Sequence, residues 1–179
     1  TADGTYYDIT GAASSSYTLG AGDYNYFIKL AVTGTGFYSG SAASPHKGPV
    51  TPKTISLSNL SQSNTFPTTG QAGASAIAGT AEYTGTITWS PELVDGLFEG
   101  NTVYTATVSL TPKSGYTASG LPADFFTVSG AVSVTNAADS GIVTVVFPST
   151  SKTPLTAIAG IIGSVQVGQV LTAGELTPS

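Results

Sequence analysis

The chain has 179 residues, a net charge of −5, no cysteine, no methionine and only 8% charged side chains; that length allows one or two small domains with a real core. Its five basic residues are lysines scattered along the sequence, with no stripe that would track phosphates, which argues against nucleic-acid binding and against an anionic membrane surface. No apolar run approaches the roughly 20 residues that span a bilayer, so no membrane insertion is expected.

Glycine, serine, threonine and alanine dominate, and short alternating apolar runs recur between Gly, Pro, Asn and Asp clusters. That pattern predicts an all-β fold. In chain order, strands are expected over 6–9, 16–19 and 24–33. In the last of these, Tyr26, Ile28, Leu30 and Val32 share one face and Phe27, Lys29 and Ala31 the other, because side chains alternate along a strand. Gly34 and Gly36 turn the chain into a strand over 37–43, and GPVTPK reads as a linker.

The next unit carries expected strands over 54–60, 74–78, 82–89, 103–110, 125–129, 131–135 and 141–147, with a long loop over 61–73. Seven strands in about a hundred residues is the arithmetic of an immunoglobulin-like sandwich. After STSKTP, two further strands are expected over 155–159 and 164–171, joined through Gly160 and Gly163. Two strands do not bury a face alone, so this tail requires a partner sheet.

Catalytic constellations are absent from the pattern. The sole histidine, His46, lies in the loop-like SPHKGPV without the rigid orienting partner that a catalytic base requires. The acids occur singly; Glu92, Asp95 and Glu99 cluster in SPELVDGLFEGN but lack the alternating spacing of a calcium loop, so they read as a turn facing water, and no metal or cofactor is expected. Lys29 is placed outward and Lys47, Lys53, Lys113 and Lys152 in turns or linkers, away from the dry core that a lysine–asparagine crosslink needs. Tyr6, Tyr7, Tyr17, Tyr24, Tyr26 and Tyr38 concentrate in the opening segment. An exposed aromatic platform stacks on sugar rings, whereas alternation and sheet packing account for such residues without a ligand.

The closing AIAGIIGSVQVGQVLTAGELTPS and the opening ADGTYYDITGAASSSYTLGAGDYNYFIKLAVTGTGFYSG resemble the two ends of one Ig-like repeat found in tandem in large bacterial surface proteins and adhesin-like fibres. The middle unit, with YTGTITWSP, YTATVSLTPKSGYTASG and FFTVSGAVSVTNAADSGIVTVVFP, resembles a second repeat type of such proteins. The resemblance implies Ig-like β-sandwich modules arranged head to tail: residues 1–50 as the C-terminal part of one sandwich, 51–153 as a complete second one, and 154–179 as the first strands of the sandwich that the next copy completes. The order is circularly permuted. The strand, usually tryptophan-bearing, that such a module carries is not found between Ser179 and Thr1, since the only tryptophan, Trp89, belongs to the middle unit; either that strand is absent or the sequence covers only part of the repeat.

An odd number of strands in the middle sandwich would put its ends at opposite poles, roughly 30 Å apart, while linkers of about six residues reach about 20 Å. The tail is therefore expected to complete another copy, by strand addition or by covalent continuation of a tandem chain. Leu155, Ile158, Ile161, Val165, Val167, Val170 and Leu171 are the expected donor residues, and Tyr17, Leu19, Ile28, Leu30 and Val32 the acceptors. The expected partners are copies of the same chain or neighbouring repeats, at the bacterial cell surface and outside the cell. A start at Thr1 and the lack of both sulfur residues fit excision from a longer, long-lived extracellular material; the latter fits a Thr-rich composition equally. The alternative from another class is a ligand-binding adhesin domain that recognises glycan or host protein through loops or tyrosines.

Overall fold

The structure is a computed structural model that describes residues 4–60, 66–152 and 155–178, with the backbone alone at Ile158 and Pro178. The fold is all-β: apart from a 3-10 turn at Ala21–Asp23, the described elements are strands, β1 (Ala31–Thr33), β2 (Ser41–Ala43), β3 (Lys53–Thr54), β4 (Tyr83–Ser90), β5 (Thr105–Pro112), β6 (Tyr116–Thr117), β7 (Ser133–Asn136), β8 (Ile142–Val146), β9 (Leu155–Ile158) and β10 (Leu176–Pro178).

The centre is a four-stranded antiparallel sheet in the order β4-β5-β8-β7. Alternation in these strands is strict. Tyr83 and Ile87 of β4, Ala106, Val108 and Leu110 of β5, and Val143 and Val145 of β8 are buried, while Thr84, Thr86 and Thr88 face solvent. The register sets Ile87 beside Val108 and Val108 beside Val143, so β-branched side chains pack along the rungs.

The buried face is covered by irregular segments, not by a second continuous sheet. β3 pairs in parallel with β6, and Asn59 bridges Thr127, also in parallel. Ile55, Leu60, Leu121 and Phe126 from this layer join the core of the sheet. Tyr83 ties the layers together: its ring stands edge-on to Phe126, and its hydroxyl donates to the Leu57 carbonyl at 2.9 Å. A third segment lies along β4, where Ile77 N–H and Gly85 C=O, and Ile87 N–H and Ser75 C=O, are bonded. The described buried hydrophobic residues all fall between Ile55 and Phe147.

The expected strand over 54–60 is therefore laddered only near its ends. Its middle is diverted, because Ser56 and Leu57 give their backbone N–H groups to the Glu82 carboxylate at 2.7 and 2.9 Å. Residues 61–65 of the expected long loop lie outside the described residues.

Register also fixes where the chain enters and leaves this unit. Lys53 N–H bonds Gly115 C=O, next to the Tyr83–Pro112 end of the β4–β5 ladder, where Lys113 N–H bonds Glu82 C=O. At the other end, where Ser90 meets Thr105 and Thr105 meets Val146, Thr150 is held by Glu99 and Thr102. Thr150 N–H donates to Thr102 C=O, Thr102 N–H donates to the Thr150 hydroxyl, and that hydroxyl donates to Glu99 C=O. The two ends of the unit thus lie at opposite poles of an eight-residue ladder, about 24 Å long at 3.4 Å per residue.

Candidate self-association interface

The segments outside the core form two hairpins. In the opening segment, Tyr26 C=O accepts from Val50 N–H, Ile28 and Lys47 exchange both backbone bonds, Leu30 C=O accepts from Ser44 N–H, and β1 pairs with β2 from Ala31–Ala43 to Thr33–Ser41. The pairing slips by one residue between Tyr26–Val50 and Ile28–Lys47 and again between Ile28–Lys47 and Leu30–Ser44, as at β-bulges, so the expected single strand over 24–33 is broken into short pieces. Asn25 contributes, with φ of 65° in the left-handed region that interrupts an extended chain. The partner strand runs through 41–50 and takes in part of the expected linker, while Lys53 belongs to β3.

The expected strands over 6–9 and 16–19 do not form. Tyr17 is held instead by its own chain: its hydroxyl donates to the Asp23 carboxylate at 2.9 Å, and Gly20 N–H donates to the same oxygen at 2.7 Å. That hydrogen bond, desolvation and the charge of Asp23 all raise the Tyr17 pKa. Asp23 is the buried acid of this segment. The 3-10 turn that carries it rests on the lower pole of the core, where Gly115 has φ of +81° and an added Cβ would lie 2.8 Å from Ala21 Cα.

In the tail, β9 pairs with β10, and Ile162 and Thr172 exchange both backbone bonds. The expected second strand over 164–171 is a loop, and the strand that pairs with β9 comes later, at Leu176–Pro178. Gly163 and Gly168 have φ of 130° and 86°, conformations that glycine adopts freely and that take the chain out of a ladder. Val165, Val167, Val170 and Leu171 are thus presented on a hairpin loop, while Leu155 lies on β9 and Ile161 follows it.

Donor and acceptor candidates share one property. Leu155, Ile161, Val165, Val167, Val170 and Leu171 are exposed, as are Leu19, Leu30 and Val32. Tyr17 is exposed apart from its bond to Asp23, Ile28 is half-buried, and the side chain of Ile158 lies outside the described residues. Tyr7, Tyr26, Phe37 and Tyr38 add to the apolar surface of the opening segment. Among the described residues no strand ladder or bridge joins the two hairpins. Each is a two-stranded element with apolar side chains in water, which is unstable alone.

His46 stacks edge-on against Phe27 at 5.2 Å, and Lys29 sits over the Tyr6 ring at 4.0 Å. Among the described residues no group of three or more His, Asp or Glu side chains is placed to hold a metal. A small cavity in the core, lined by Leu60, Ile77, Ile87, Val108, Val128 and Phe147 among others, has no polar group to orient a ligand. No described helix is long and apolar enough to cross a membrane.

Glu82, within an expected strand but not singled out by the sequence, is one of the buried polar groups of the core unit, with Asn136 and Thr150. It is 5% exposed, and it accepts from the Ser56 hydroxyl at 2.6 Å as well as from the Ser56 and Leu57 amides. Its signal in the sequence is slight: a lone acid immediately before an alternating apolar strand. Compared with family models, with curated proteins and with solved structures, the chain has no significant match.

Proposed function

We propose that this chain is a structural repeat of a bacterial extracellular filament, surface layer or adhesin stalk. The apolar hairpin of residues 155–178 in one copy covers the apolar hairpin of residues 25–50 in the next, completing an Ig-like sandwich. The join is made either by strand addition between separate chains or within a covalent tandem array, and no catalysis is involved.

One observation carries this reading: two exposed apolar hairpins flank a self-sufficient core, and the core's two ends lie at opposite poles. The tail leaves the core after Thr150, at the pole about 24 Å from the one where the opening hairpin attaches. A contact between unlike surfaces at opposite poles does not close on itself, so it propagates as a filament. Sedimentation velocity of the full chain is expected to give species that grow with concentration in steps of 17.9 kDa. A single monomeric boundary up to about 100 μM, a hundredfold above a micromolar affinity, would contradict the proposal.

A further inference from the structure

A repeat that joins neighbours at opposite poles is pulled along the line between those poles. The chain enters at Lys53 and runs upward through β3 toward Leu60, parallel to the segments it is bonded to. Lys53 and Ile55 donate to Gly115 and Thr117 carbonyls, Leu60 donates to Thr127 C=O, and Thr127 donates to Ser58 C=O. Between these two short ladders, Glu82 takes three hydrogen bonds from Ser56 and Leu57, and Tyr83 donates to Leu57 C=O.

A pull on Lys53 away from Thr150 therefore runs along the axis of this segment. Its bonds share the load in shear and do not open one at a time from an end. At the exit, β8 lies between β5 and β7 with a ladder on each side, and Thr150 is bracketed by Glu99 and Thr102. The segment 53–60, with its sparse ladders, is the weaker of the two anchors.

We propose that residues 53–60 are the force-bearing latch of the repeat and that Glu82 is its bolt, a positioning residue that pins Ser56 and Leu57 to β4. The latch deepens the structural reading above by naming what carries the load. Its test on a single chain is independent of whether copies assemble.

The test is constant-force stretching of the full chain by handles at its two ends. The core is expected to open in one step that releases about 300 Å of chain. Glu82→Gln keeps one oxygen for the two amides, turns the Ser56 hydroxyl from donor to acceptor and replaces charge-assisted bonds with neutral ones, so the lifetime under load is expected to fall tenfold or more. Lys53→Pro removes the first ladder donor at an exposed position and should shorten the lifetime in the same way. Val132→Pro, which removes the Val132 N–H to Val146 C=O bond at the edge strand, serves as the comparison.

At matched loss of urea stability, both latch variants are expected to fail sooner under force than Val132→Pro. Equal lifetimes for the three, or the shortest for Val132→Pro, would overturn the latch. Should Glu82→Gln not fold, Lys53→Pro decides.

Discussion

A chain carrying Ile161→Asp, Val165→Asp and Val170→Asp is expected to sediment as a monomer at concentrations where the unaltered chain assembles, with the melting of its core unchanged. The three side chains are 73%, 92% and 82% exposed in the single chain, so charging them removes no intramolecular packing. In an assembled interface the same positions are covered. Burying a Val or Ile side chain contributes about 1.5–3 kcal/mol, and a carboxylate in that place adds a desolvation penalty. Three such replacements should weaken association by more than about a thousandfold, since each 1.4 kcal/mol is a factor of ten. Assembly that survives the triple replacement would remove the tail from the interface, and a lowered core melting temperature would mean that the tail packs on its own chain.

Glu82→Ala is expected to lower core stability by about 3 kcal/mol, because it leaves two amide donors and one hydroxyl of a partly buried site without their acceptor. In a unit of about a hundred residues that corresponds to a drop in melting temperature of about 15 °C. Against a total stability of about 5–15 kcal/mol, the loss is large.

The same carboxylate predicts a pH dependence. Burial alone would raise its pKa, but the Ser56 hydroxyl, the amides of Ser56 and Leu57 and the positive charge of Lys53 outweigh burial and hold it below the ordinary glutamate value. A group whose pKa is depressed in the folded state contributes stability that is fully present above its unfolded pKa of about 4.3 and is lost as pH falls through the lower folded pKa. Urea midpoints measured from pH 7 down to pH 3 should therefore fall more steeply at the acid end for the unaltered chain than for Glu82→Gln. Parallel curves would mean that the carboxylate is no better held in the folded state than in the unfolded one.

The central strands were legible because nothing competes with alternation there. Expected strands over 82–89, 103–110 and 141–147 correspond to Tyr83–Ser90, Thr105–Pro112 and Ile142–Val146, with differences of a few residues at the ends. Alternation overstated order wherever a side chain or a glycine redirects the backbone. The run from Thr54 to Leu60 reads as one strand, yet Glu82, 25 or more residues away, captures the Ser56 and Leu57 amides. A carboxylate that bonds backbone across such a separation leaves no local trace.

The tail failed for a different reason. SVQVGQVL has apolar residues at alternating positions up to Val167 and resumes them at Val170, but Gly168 with positive φ makes it a loop. The true partner of β9, Leu176–Pro178, is short and ends in a proline, which is tolerated at a sheet edge and gives a weak strand signal. In the opening segment, the bond from Tyr17 to Asp23 holds the chain in a local turn where β-propensity alone predicts an extended strand. What the sequence did convey about the candidate interface is its chemistry: two apolar segments outside the core, each too small to bury its own face.

Cysteine crosslinking between two differently labelled chains bears most directly on head-to-tail complementation. The chain has no cysteine, so Val32→Cys in one population and Val167→Cys in the other give each molecule a single thiol, and Leu30→Cys with Val165→Cys gives a second pair. Mixed under mild oxidation, the two populations are expected to yield a disulfide-linked heterodimer joining tail to opening hairpin, in clear excess over a control in which Thr86→Cys, on the solvent face of β4, replaces the opening-hairpin thiol. A heterodimer yield no greater than that control, at concentrations where the chain sediments as an assembly, would contradict complementation between copies.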